Sequence, residues 1–292
     1  MAERTLDLGQ LQALLERVRG LKVACVGDLM LDRYVYGEVS RISPEAPIPV
    51  LKARRTVAMA GAVGNVARNV GSLGGAARLG ATVGEDAAGV ELQALIRQDE
   101  GVESFVEVST AAPTIVKTRY VSAGQQLLRL DDEEPGDRTL PTKGVSAAPA
   151  SILISDYAKG GVTAALLDDA LKAAKASGAP VIVDPKGSDF AKYGAVNVIK
   201  PNASELAGAT GLPVDTDAEV EAALSALLAA TTANAIIVTR AGKGMSLMRR
   251  GGEAKHFPGR AREVFDVSGA GGTGLAALGL GLGAGASLEA AV

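Results

Sequence analysis

From Ser151 onward, short runs of continuous apolar residues alternate with longer amphipathic stretches, and nothing else in the chain narrows its fold so far. Residues 151–155, 180–184, 196–200 and 235–240 read as strands, and 162–174 and 218–230 as helices. Strands apolar on both faces must be covered on both faces, which predicts a mostly parallel sheet between helical layers. The N-terminal half repeats the pattern. A strand at 22–27 is followed by a helix whose apolar positions are Val63, Val66, Ala67, Val70 and Leu73, with Gly74 placed to end it. A strand at 77–83 and a helix at 87–98 come next.

Two segments break this rhythm. Residues 34–59 carry Pro44, Pro47 and Pro49 between short β-prone pieces, and 114–122 and 126–131 alternate polar with apolar residues. Both patterns belong to half-exposed strands, so a small β lid within 34–57 and 114–131 is expected on a single domain spanning 1–292.

Composition excludes several classes of function. A net charge of −3 gives no reason to expect a nucleic-acid partner. One cysteine, Cys25 in an apolar strand, allows neither a disulfide nor a thiolate metal site within the chain. The one histidine, His256, reads as structural or surface, so no Ser/His/Asp triad can be drawn. Leu8, Leu11, Leu15 and Val18 share a helical face followed by Arg19, unlike a signal peptide, and Asp7 with Gln10 can cap that helix. Residues 267–288 are uncharged and contain Gly279-x-x-x-Gly283, but they are mostly Gly, Ala and Ser. A membrane span is therefore not expected, and the cytoplasm is.

Open α/β sheets bind ligands at the carboxyl ends of their strands. Polar clusters stand at five such ends: Asp28 with Asp32, the run 155–160, Asp184 with Lys186, the run 200–205, and the run 239–244. A sixth, Asp266-Val267-Ser268-Gly269-Ala270-Gly271, leads into an apolar segment. Small residues let backbone amides approach an anion at a helix N-terminus, as phosphoryl transfer requires.

Together with Gly61-Ala62-Val63-Gly64-Asn65, these residues resemble the ribokinase-like (PfkB) carbohydrate kinases over nearly the whole chain. The runs 26–34, 41–47, 155–160 and 184–187 resemble more closely the kinase domain of the D-glycero-β-D-manno-heptose-7-phosphate kinases of the ADP-heptose route to lipopolysaccharide. The resemblance implies a ribokinase-like three-layer α/β sandwich, ATP and Mg²⁺ as cofactors, and a sugar phosphate as substrate. It implies sugar-hydroxyl contacts from Asp28, Asp32 and Asn65, and a substrate-phosphate contact from Lys186. Asn202, Ala203, Ser204 and Glu205 would face the nucleotide phosphates, with Asn202 and Glu205 holding Mg²⁺ through water. Thr239, Arg240, Gly242 and Gly244 would line the adenine side. Gly269, Ala270 and Gly271 would form the anion hole, and Asp266 would support a monovalent cation. The lid strands would pair across a homodimer.

The chain departs from that pattern at one decisive place. Where the signature carries the aspartate that takes the proton from the sugar hydroxyl, this sequence has Gly272. General-base catalysis is worth about 10²–10⁴ in rate, so impaired turnover is expected, with a non-catalytic sugar-phosphate or nucleotide binder as the alternative. Gly274, Gly279, Gly281 and Gly283 predict a poorly packed following helix, and the resemblance leads one to expect a further helix and strand after Val292. The same glycines spell G-x-G-x-x-G from Gly269 to Gly274 without the βαβ unit a dinucleotide site needs, and no Walker A sequence is present.

Overall fold

The computed structural model describes residues 7–134, 136, 138–139, 147–259 and 269–292. Helix α1 (Leu8–Val18) starts at the capping box expected from Asp7 and Gln10. It leads into β1 (Lys22–Gly27), whose Val23, Ala24, Cys25 and Val26 are wholly buried. The lid follows as β2 (Leu29–Ile42) and β3 (Pro49–Ala62). The chain returns to the body through α2 (Val63–Ser72), β4 (Ala76–Gly84), α3 (Ala87–Ile96) and β5 (Val102–Ser109). It then re-enters the lid as β6 (Ile115–Ser122) and β7 (Gln125–Asp132).

The second half alternates as its pattern predicts: β8 (Ser151–Ser155), α4 (Ala164–Ser177), β9 (Val181–Asp184), β10 (Val198–Ile199), α5 (Ala203–Thr210), α6 (Asp217–Ala230) and β11 (Ala235–Thr239). A hairpin, β12 (Met245–Arg249) and β13 (Ala254–Phe257), precedes α7 (Ala270–Gly283) and α8 (Leu288–Ala291). Strands β5, β12 and β13 and helix α5 were not expected from the sequence. Each lies at the rim or is short, so each carries too little apolar repeat to announce itself.

Among the described residues the strands form two sheets. One runs β13-β12-β11-β10-β9-β8-β1-β4-β5 and the other β3-β2-β6-β7. The large sheet is parallel except where β12 pairs antiparallel with β11 and β13. Helices α1, α2 and α7 pack together over its centre, and α4, α5 and α6 cover β8 to β13. From β1 the chain winds outward one way through β4 and β5. From β8 it winds the other way through β9, β10 and β11. That reversal between β1 and β8 opens a crevice at the carboxyl ends of the strands.

Helix α7 corrects the expectation of poor packing. Its Leu275, Ala276, Leu278 and Leu280 are buried, and a Cβ on Gly279 would overlap the Leu153 side chain on β8. The small residue is what lets the helix sit directly on the strand. Among the described residues no helix is long and apolar enough to cross a membrane.

Candidate active site

The crevice begins where β1 ends. Gly27 has φ +147°, and a Cβ there would collide with the Ser155 carbonyl of β8, so only glycine lets the two strands close at this point. Asp28 follows, 1% exposed, with its carboxylate turned under the loop that leaves β8. Its Oδ2 accepts from the backbone amides of Tyr157 at 2.7 Å and Lys159 at 3.1 Å, and its Oδ1 from Gly161 at 2.9 Å. Burial pushes its pKa up, and the three amides oppose that shift. Asp28 is expected to hold sugar hydroxyls; here its buried carboxylate accepts from three backbone amides and so positions the 155–161 loop.

Asp32, expected on the sugar side, lies on the lid. It stands on β2 facing Lys117 of β6 in register, and Arg119 Nη1 donates to its Oδ1 at 2.5 Å. A Cβ on Gly61 of β3 would collide with its Oδ2, so that glycine makes room for the carboxylate. Charge continues across the lid. Lys117 Nζ reaches Asp131 and Glu133, each at 3.0 Å, and Lys159 Nζ reaches Glu133 at 2.6 Å. The lid is thereby latched to the loop that Asp28 holds. Buried Arg138 adds bonds to the carbonyls of Pro113, Glu134 and Lys159, tying both lid hinges to the same loop. Sequence reasoning missed Lys117, Arg119, Lys159 and Arg138. Their partners are distant in sequence, and only Lys117 and Arg119 carried a signal, as cations alternating on β6.

On the opposite wall α7 opens with Gly269 at φ +82°. Asn65 Nδ2 donates to the Gly269 carbonyl at 3.3 Å, and Thr273 Oγ1 donates to Asn69 Oδ1 at 3.1 Å, so α2 and α7 meet at their first turns. The two residues after Ala270 look in different directions. A Cβ on Gly271 would lie 3.7 Å from Asp184 Oδ2, and a Cβ on Gly272 would lie 2.9 Å from Asn65 Nδ2. The amide-rich end of α7 thus stands between Asn65 on one side and the β9 carboxylate on the other. Asp266, named above as a cation site, lies outside the described residues.

Beyond Asp184 are two lysine–carboxylate pairs. Lys200 Nζ donates to Asp184 Oδ1 at 3.0 Å, and Lys186 Nζ to Glu205 Oε1 at 2.9 Å. Burial raises the Asp184 pKa, and the Lys200 charge draws it back. Asn202 and Glu205 form a capping box at the start of α5: Asn202 Oδ1 accepts from the Glu205 amide and Glu205 Oε2 from the Asn202 amide, both at 2.9 Å. One Glu205 oxygen caps the helix and the other faces Lys186. Ser204 is exposed and Ala203 partly so on the same first turn. Lys186, assigned above to the substrate phosphate, is thus found beside Glu205.

At the far end Thr239 bridges to Asn202 at the β11 terminus. Arg240 turns away from the crevice. Its Nη1 donates to Asp217 at 2.6 Å and to Ser246 Oγ at 3.2 Å, and its side chain is 5% exposed. Arg240, expected beside adenine, here clamps α6 to β12. Gly242 is open on the surface, and Gly244 packs under Phe257 and Pro258. His256 bonds with Ser246 and Glu221 in this outer cluster, in keeping with its structural reading.

Tyr157 was passed over in the sequence. It follows β8 with its ring half-exposed and its amide on Asp28. Burial, then the charges of Asp184, Asp32, Glu205 and Asp28, push its phenol up to about 12. Among the described residues no group of three or more His, Cys, Asp or Glu is close enough to cage a metal. Asp184 and Glu205 nonetheless offer hard oxygen donors, and such a donor set fits a largely hydrated Mg²⁺ beside phosphates.

Comparison with known proteins agrees with this geometry. The family description "pfkB family carbohydrate kinase" matches residues 21–292. The chain is 49% identical over 266 residues to the bifunctional protein HldE of Gluconacetobacter diazotrophicus, covering 88% of this chain and 55% of that protein. It is 47% identical over 291 residues to the HldE protein of Hyphomonas neptunium, covering 97% of this chain and 60% of that one. The chain thus spans somewhat over half the length of these relatives. Among solved structures, Arabidopsis thaliana ribokinase complexed with ribose and ATP superposes with a TM-score of 0.72 at 22% identity, covering 94% of this chain and 88% of that one. Escherichia coli phosphofructokinase-2 in complex with potassium gives 0.70 at 22%, covering 93% and 88%.

Proposed function

This chain belongs to the pfkB family of carbohydrate kinases, and on that premise we propose that it is built to phosphorylate D-glycero-β-D-manno-heptose 7-phosphate at O1. ATP is the donor and Mg²⁺ the accompanying cation, in a cytoplasmic step toward ADP-heptose. The observation that carries the reading is the position of the α7 N-terminus between two unlike walls. Asn65 borders Gly272, and Asp184 borders Gly271. A sugar against Asp32 and Asn65 and a nucleotide against Asp184, Lys186 and Glu205 would meet at these amides.

Each wall has its own work. Asp32 and Asn65 orient the sugar hydroxyls, and the lid closes over them through Arg119. The amides of Gly269, Ala270 and Gly271 stabilise charge on the phosphoryl group in transfer. Asn202 and Glu205 hold water around the metal, which when bound neutralises charge on the nucleotide phosphates. A monovalent cation beside Asp266 completes the proposal. Nothing at Gly272 accepts a proton, and this favours a second reading as a binder of sugar phosphate or nucleotide without turnover.

Release of ADP from ATP and heptose 7-phosphate, followed for this chain beside Gly272→Asp, tests the two readings. Turnover in the aspartate variant supports the kinase reading. Two silent proteins that still bind ligand would favour the binder.

The lid also suggests assembly. Leu128 and Leu130 are exposed on β7, an edge strand of the small sheet, and Ile42 and Ile48 are exposed at the far end of the lid. An uncovered apolar edge invites a second copy, and pairing of lids in a homodimer would cover it. A monomeric mass by light scattering would rule this out.

A further inference from the structure

We propose that Lys186 is the cation that recognises the terminal phosphate of the nucleotide, with Glu205 as its resting partner. This rests on the kinase reading above and moves Lys186 from the sugar's own phosphate to the nucleotide's.

The backbone of Lys186 is fixed, while its side chain is held by Glu205 alone among the described residues. Its amide donates to the Tyr193 hydroxyl at 3.2 Å, and that hydroxyl donates in turn to buried Asp156 at 2.8 Å. The residue therefore leaves β9 from a fixed point. The side chain is 48% exposed and makes one ion pair, with Glu205 Oε1. The neighbouring Lys200 is different: at 4% exposure it is locked on Asp184 Oδ1 and cannot move to a ligand.

Glu205 can release Lys186 without unfolding anything. Its Oε2 carries the α5 cap through the Asn202 amide, and Oε1 is the atom given to Lys186. Were Glu205 to hold water around a divalent cation, its Oε1 would no longer be given to Lys186, and the ammonium would be released. The anion assigned to it is a nucleotide phosphate at the α7 N-terminus, because a Cβ on Gly271 would lie 3.7 Å from Asp184, two residues before Lys186. The sugar side has other cations: Arg119 at Asp32, Lys117 on the lid strand β6, and Lys159, which reaches Glu133 from the 155–161 loop. A cation placed this way senses whether a third phosphate is present. ADP, which lacks that phosphate, is indifferent to it.

Binding measures this without any turnover. Dissociation constants of MgATP, MgADP and heptose 7-phosphate are compared for this chain, Lys186→Met and Lys186→Arg by calorimetry. A charge-assisted contact predicts that Lys186→Met erases a preference for ATP over ADP of about 10- to 100-fold. Affinity for MgADP and for the sugar phosphate stays within about twofold, and Lys186→Arg keeps part of the preference. An unchanged ATP-to-ADP ratio in Lys186→Met, or a loss confined to heptose 7-phosphate, overturns the assignment while leaving the kinase reading intact. If the parent chain binds neither nucleotide, the kinase reading falls and the role of Lys186 falls with it.

Discussion

Asn65 and Gly272 face each other across the first turns of α2 and α7, with the Asn65 amide nitrogen 2.9 Å from the place a Cβ on Gly272 would take. A side chain at 272 would emerge beside the residue that also holds the Gly269 carbonyl.

That contact sets the first prediction. Gly272→Asp needs a small rotation of the Asn65 amide, at the expense of its long 3.3 Å bond to the Gly269 carbonyl. Its carboxylate would enter the sugar side of the α7 N-terminus, where a helix favours negative charge. Turnover should rise by about 10²–10⁴ relative to this chain, with little change in thermal midpoint. A rate assay with a melting curve reads both.

Asp28 and Asp32 should separate cleanly. Asp28→Asn removes the charge that three amides share, places an amide donor among them, and should cost about 1–3 kcal/mol in urea unfolding. It should also quicken proteolysis of the 155–161 loop. Asp32→Asn should weaken heptose 7-phosphate binding the more of the two, with a loss of stability confined to its pair with Arg119. Equal effects on binding and stability from both would contradict the division.

Two glycines of α7 should respond with opposite sign. Gly279→Ala drives a methyl into Leu153 and should destabilise by about 1–3 kcal/mol. Gly274→Ala meets nothing within 4 Å and should stabilise by up to about 1 kcal/mol, because alanine is the better helix former. Thermal unfolding of the two variants decides it.

Glu289 of α8 carries an acid-sensitive contact. It bonds Arg249 at 2.8 Å and Lys255 at 3.0 Å, and these cations, Arg249 first, hold its carboxyl at about 2, below the ordinary value of 4.5. A depressed carboxyl stabilises the fold above its unfolded pKa and loses that contribution as pH falls toward about 2. Glu289→Gln should thus lower stability near neutrality, and the difference from the parent should vanish between pH 4.5 and 2. A constant difference across that range would refute the ion pair. Because both partners are substantially exposed, the effect should also shrink in high salt.

The alternation of apolar strands and amphipathic helices determined the layered sheet, since wholly apolar strands such as Val23–Val26 admit no other environment than cover on both faces. Local chemistry was equally legible. The Asp7 and Gln10 cap formed as written, and the departure at Gly272 needs no coordinates to see. Tertiary structure alone decided which polar groups are free. Asp28, Asp32 and Asp184 look alike in sequence, yet the first is consumed by backbone amides, the second shared with Arg119, and the third half-taken by Lys200. Arg240 and Lys186 likewise follow strands with similar turn chemistry, but one is buried against α6 and the other is half-exposed at Glu205. Periodicity encodes which face of an element is buried. It does not encode partners from remote strands, because those contacts exist only once the sheet has brought the strands together.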